Sequence, residues 1–133
     1  MLERLAIRDF VLVERAEIAL QPGLNVLTGE TGAGKSLLVQ AVDLLLGGRA
    51  DAAVVREGAR AAVIEGEFRP SARALARVRP RLEEWGVEAD GDELIVRREV
   101  QADGRSRALV NQSAVTRASL RELCGELADL RPD

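Results

Sequence analysis

A chain of 133 residues, 47% apolar and 31% charged, is one domain's worth of sequence: long enough for one core, too short for two and too apolar for disorder. Its net charge of −3 creates no global field toward DNA or an acidic membrane, and one cysteine with no histidine excludes an internal disulfide and most zinc sites. Phe10, Phe68 and Trp85 are the only aromatics, so leucine, valine, isoleucine and alanine must fill the core, and a base-stacking single-strand binder has little to work with.

Leu2 to Arg8 and Val13 to Leu20 are short, partly alternating apolar runs that predict two antiparallel strands joined near Asp9 to Leu12. The charged start and the lack of a long apolar run lead to an expected cytoplasmic location without membrane contact. Gln21-Pro22-Gly23 signals a turn, and residues 24–28 read as a short strand ending at Gly29. From Lys35 to Leu46 a helix is predicted, with Ser36, Gln40 and Asp43 on one stripe of an otherwise apolar surface; such a helix is expected to be buried on most sides. Gly47-Gly48 ends it.

Ala61 to Phe68 alternates as a strand, and Pro70-Ser71 opens an arginine-rich helical stretch that Pro80 should interrupt and Gly86 close. Glu93 to Val100 and Ser106 to Asn111 read as a hairpin across Asp103-Gly104, and Thr116 as the N-cap of a last helix through Leu120, Leu123 and Leu127. Cys124 falls in that helix as a small buried apolar residue. No repeat or linker interrupts the chain, so residues 1–133 read as one unit.

Gly29-Glu30-Thr31-Gly32-Ala33-Gly34-Lys35-Ser36 fits the phosphate-binding pattern G-x-x-x-x-G-K-[ST] in full, between a short strand and a helix. Its glycines allow successive backbone N–H groups to turn inward around phosphate oxygens, and the helix N-terminus adds partial positive charge. Lys35 suits the β- and γ-phosphates of a nucleoside triphosphate, ATP above all, and the Ser36 hydroxyl suits the accompanying Mg²⁺. Of the 19 basic residues 18 are arginine, and Lys35 is the single lysine; a flexible point charge is what this loop uses on phosphate.

With the stretches Leu44-Leu45-Leu46-Gly47-Gly48-Arg49-Ala50 and Gly104-Arg105-Ser106-Arg107, leading into Val110-Asn111, this loop makes the chain resemble the start of the RecN family of SMC-like bacterial DNA repair proteins. The resemblance implies an α/β fold: the N-terminal lobe of an ABC/SMC-type ATPase head, a mixed sheet with antiparallel first strands around the loop helix. It further implies recombinational repair of double-strand breaks, with a C-terminal head lobe or a second head as protein partner and DNA as a partner of the intact protein. By resemblance, Gly29 through Ser36 hold ATP, Ser36 holds magnesium, and Arg49 corresponds to an arginine loop near nucleotide and DNA. As a residue, Arg49 is equally a solvated arginine past a helix end. Arg105 and Arg107 flank a hairpin and could touch phosphate, but paired arginines on an exposed turn are more often simply solvated. Gln40 stands where relatives usually carry Asp, and Gln112 where they usually carry Gly.

Hydrolysis in this family draws on an apolar strand ending in Asp-Glu and a Ser-Gly-Gly signature, and neither occurs here; the His-Gly-Gln stretch expected after Leu130 is replaced by Arg131-Pro132-Asp133. No catalytic set is complete, so the expected role is ATP binding, with hydrolysis depending on a C-terminal lobe. The alternative is a nucleotide-binding regulatory or interaction module that never hydrolyses.

Overall fold

A computed structural model describes residues 2–19, 32–89 and 91–128, the side chains of 32–35 and 128 excepted. Strands β1 (Leu2–Phe10) and β2 (Val13–Ala19) pair antiparallel, as the alternation predicts, with Ile7 opposite Ala16 and Phe10 opposite Val13. Their connection bends sharply: Asp9 and Val11 both take positive φ, at 51° and 53°. The strain at Val11 is held by neighbours, since its N–H donates to the Val54 carbonyl at 2.7 Å and Asp9 O accepts from Arg56 N–H at 2.9 Å. The expected turn at 21–23 and strand at 24–28 lie outside the described residues.

Strand β3 (Ala61–Phe68) returns along the other side of β1, and β4 (Leu94–Gln101), β5 (Ser106–Val110) and the short β6 (Ser113–Val115) follow in sequence. Among the described residues the sheet has six strands in the order β2-β1-β3-β4-β5-β6, and each of their pairings is antiparallel. β6 went unread in the sequence because it is three residues long. It exists through its turn: Asn111 and Gln112 take φ of 48° and 71°, the mirror-image geometry that joins strands with a two-residue loop. Asparagine is common in that conformation, and both ends of the Asn111 amide are engaged. Its Oδ1 accepts from Ile95 N–H at 2.9 Å and its Nδ2 donates to Glu88 O at 2.8 Å.

One face of the sheet is apolar and carries three helices. Leu5 and Ile7, then Ala62, Ile64 and Phe68, then Leu94, Val96 and Val100 form its buried rows. Helix α1 (Gly32–Leu45) packs on β3 and β4, α3 (Arg117–Ala128) on β5, and α2 (Ala72–Glu84) against α3. Gly66 of β3 lets α1 come close, since a Cβ there would collide with the Leu45 side chain. The opposite face is polar and alternates in charge: Arg97 lies 3.4 Å from Glu65 and 2.7 Å from Glu99, and Arg107 lies 3.5 Å from Glu99.

Two expectations are corrected. Pro80 does not interrupt α2, which runs unbroken through it to Glu84. Val78 and Leu82 are fully buried on either side of it, while Ala76, whose carbonyl loses its donor, and Pro80 itself are exposed, so water can take the freed oxygen. Nor is α1 buried on most sides. Ala41, Leu44 and Leu45 are buried, but Val39 is 66% and Leu46 39% exposed, because the sheet covers one side only and no described residue covers the other. Ser36, Gln40 and Asp43 are exposed with them.

Candidate functional site

The phosphate-binding sequence straddles the edge of the described residues. Gly29, Glu30 and Thr31 lie outside them, as do the side chains of Gly32, Ala33, Gly34 and Lys35. The backbone from Gly32 onward forms the first turn of α1. The glycine-rich run thus leads directly into a helix N-terminus, where free N–H groups and the helix dipole favour an anion. Ser36 is exposed in that first part of the helix, where its hydroxyl is available to a cation. Gln40 follows one turn later, also exposed.

The other end of α1 is held unusually firmly. Gly47 (φ 103°) closes the helix; its N–H donates to Leu44 O at 3.1 Å and Gly48 N–H donates to Asp43 O at 2.9 Å. Neither glycine tolerates a side chain: a Cβ at Gly47 would run into Arg121, and one at Gly48 into Asp43. Arg98 reaches this turn from β4. It is 1% exposed and is the one buried charged side chain among the described residues. Its Nη1 donates to Leu44 O at 2.6 Å and to Gly48 O at 2.9 Å, and its buried Nε has no partner. Burial, with the nearby Arg117 cation, lowers the Arg98 pKa, and Asp43 opposes the shift. Arg117 of α3 adds a bond from its Nη1 to Gly47 O at 3.1 Å. The sequence held a clue to Arg98. It occupies an inward place in the alternation Leu94, Val96, Arg98, Val100, where a charge needs a reason.

Arg49 follows this turn directly and is exposed, with no hydrogen bond or ion pair to another described residue. Arg105 and Arg107 are not free cations. Asp103 meets Arg105 at 2.8 Å and accepts from its backbone N–H at 2.9 Å, which holds the Asp103 carboxyl below its ordinary range, and Arg107 faces Glu99. Asn111, read beside them in the sequence, is committed to the backbones of Ile95 and Glu88. Thr116 caps α3 as expected, accepting from Ser119 N–H at 2.9 Å. Arg81 ties α2 to α3 through Glu122 at 2.7 Å. Cys124 is buried.

A glycine-rich run opening a helix, laid on an antiparallel sheet, finds its match among known families: the RecF/RecN/SMC N terminal domain covers residues 1–128. The chain belongs to this family. It is 46% identical over 121 residues to the DNA repair protein RecN of Streptomyces coelicolor, which spans 91% of this chain and 21% of that protein. It is 39% identical over 133 residues to RecN of Bacillus subtilis, across 98% of this chain and 22% of that protein. The chain therefore spans about a fifth of the length of these relatives.

Solved folds agree. An SMC ATPase studied for ATP-driven dimerization and DNA-stimulated activation superposes with a TM-score of 0.75 at 22% identity, over 96% of this chain and 79% of that one. The recombination mediator protein RecF superposes with a TM-score of 0.68 at 18% identity, over 90% of this chain and 29% of that one. The architecture is that of an N-terminal lobe of an SMC-type ATPase head. Among the described residues no helix is long and apolar enough to cross a membrane.

Proposed function

We propose that this chain is the ATP-binding lobe of a RecN-like DNA repair ATPase, with residues 1–133 acting as one unit. The observation that carries the reading is the complete phosphate-loop sequence Gly29–Ser36 running into the N-terminus of α1. In this reading the backbone N–H groups of Gly29 to Gly34 surround the phosphate oxygens and Lys35 neutralises their charge. Ser36 contributes one oxygen to Mg²⁺, which when bound offsets charge on the terminal phosphates. The exposure of Ser36 near the start of α1 fits that task.

The residues of this chain bind and orient; nothing in its sequence positions an attacking water, because no apolar strand ends in Asp-Glu. Turnover is assigned to a C-terminal lobe or second head, and the exposed Val39 on α1 and Leu46 just past its end offer that lobe an apolar seat. The setting is the bacterial cytoplasm, with DNA engaged by the assembled protein. Arg49, an arginine beside α1 without a partner among the described residues, is the better placed of the three candidate arginines for nucleotide or DNA, since Arg105 and Arg107 already have carboxylate partners.

Calorimetry of this chain with ATP, with and without Mg²⁺, tests the reading. Magnesium-dependent binding is expected in the parent chain and a loss of at least about tenfold in Lys35→Ala, given the charge-assisted contacts removed. Equal binding by both would refute the assignment. Phosphate release measured on the same samples is expected to be absent until a C-terminal lobe is supplied. Persistent absence after its addition would favour a non-hydrolysing nucleotide-binding module instead.

A further inference from the structure

We infer that Arg98, assisted by Arg117, is a positioning residue for the phosphate loop: it anchors the far end of α1 so that the helix presents its first turn at a fixed place. The inference rests on the nucleotide reading above for its consequence, and on geometry alone for its mechanism.

Stability does not explain Arg98. It occupies an inward place between Val96 and Val100, where an apolar side chain would fit the row. Its charge is removed from water, and its acceptors are backbone carbonyls, with no carboxylate at ion-pair distance among the described residues. A buried charge is costly to keep, and replacing it would free only two backbone carbonyls, of which Leu44 O still accepts from Gly47 N–H at 3.1 Å. What the guanidinium supplies is connection. One nitrogen joins Leu44 O, inside the helix, to Gly48 O, beyond its end, and ties both to the middle of the sheet. Arg117 secures the intervening Gly47 O from α3.

The turn between them is packed so closely that neither glycine accepts a Cβ. The end of α1 is thereby referenced to β4 and to α3 together. A 14-residue helix is a stiff rod about 21 Å long, so an anchor at its last turn also governs where its first turn lies. Both cations also sit at the negative pole of the helix dipole, which favours the same arrangement. Among the described residues the side of α1 away from the sheet gives no comparable hold, since Val39 and Leu46 are exposed. Small displacements at a phosphate site are costly to ligand geometry, and here the restraint against them lies at the opposite end of the helix.

The test uses the 133-residue chain in four forms: parent, Arg98→Met, Arg117→Met and Leu82→Ala, the last a core change in α2 away from this turn. Thermal midpoint, Mg–ATP affinity and amide exchange over residues 36–40 without nucleotide are measured on each. Arg98→Met is expected to keep its midpoint within a few degrees, to lose about tenfold or more in affinity, and to exchange faster over 36–40, the part of α1 away from the Leu44 and Gly48 carbonyls that Arg98 touches. Arg98→Lys should recover part of both. Leu82→Ala should lower the midpoint yet leave affinity and exchange in α1 near the parent values.

Should Arg98→Met fail to fold, Arg117→Met, at a half-buried site, carries the same expectation on a smaller scale. A folded Arg98→Met with parental exchange overturns the inference. If the parent binds no ATP, the nucleotide reading falls by itself, and the exchange comparison still decides whether Arg98 fixes α1.

Discussion

Gln112 occupies the second position of the β5–β6 turn at φ 71°, a conformation that costs a residue with a Cβ about 1 kcal/mol and glycine nothing. This position departs from the RecN pattern of Asn followed by Gly, and the turn supplies the reason for that pattern. Gln112→Gly should stabilise the chain by up to about 1 kcal/mol, less the extra entropy glycine brings to the unfolded state; a lower denaturation midpoint would contradict the turn assignment. Cys124, buried in α3, has its thiol pushed up from 9.0 to about 12 by burial. The folded state thus binds the proton more tightly than the unfolded state does. Cys124's contribution to stability is complete below about pH 9 and declines as pH rises from there toward 12. The same burial predicts slow labelling by a thiol reagent at pH 8 that accelerates on unfolding, and since no other cysteine exists the signal is unambiguous.

Among the elements, α2 shows how far packing overrides local preference. Ser71 accepts from Ala74 N–H at 3.1 Å to start it, and Leu75, Val78 and Leu82 bury its inner face. That burial outweighs the penalty of about 3 kcal/mol that proline carries inside a helix. Pro80→Ala restores an N–H for Ala76 O on an exposed face and should raise stability by about 1–3 kcal/mol, read by denaturant melts. No change would show that the helix is already relaxed around the ring. The apolar pattern of α1 is the converse case. Val39 and Leu46, seven residues apart, lie on one face and remain exposed. They are expected to be the contact for a second lobe. Val39→Asp should abolish pull-down of a separately expressed C-terminal lobe of a RecN relative while leaving the thermal midpoint of this chain unchanged; retained capture would move the contact elsewhere.

Across the described residues, an antiparallel sheet is clad on one face by three helices and left charged on the other. Much of this was legible in order along the chain, because period-two alternation, glycine turns and N-caps are local signals: β1 with β2, β3, the β4–β5 hairpin, the glycine end of α1 and the Thr116 cap were all readable. The phosphate loop was legible for the same reason, since its chemistry lies in eight consecutive residues, Gly29 to Ser36. Three features depend on residues far apart in sequence, and only the tertiary structure decided them. Arg98 meets Leu44 and Gly48 across 54 and 50 residues, Arg117 meets Gly47 across 70, and α2 continues through Pro80 because neighbouring elements bury Val78 and Leu82. A motif states which atoms can bind phosphate; where those atoms are held follows from long-range packing, whose partners no local pattern names.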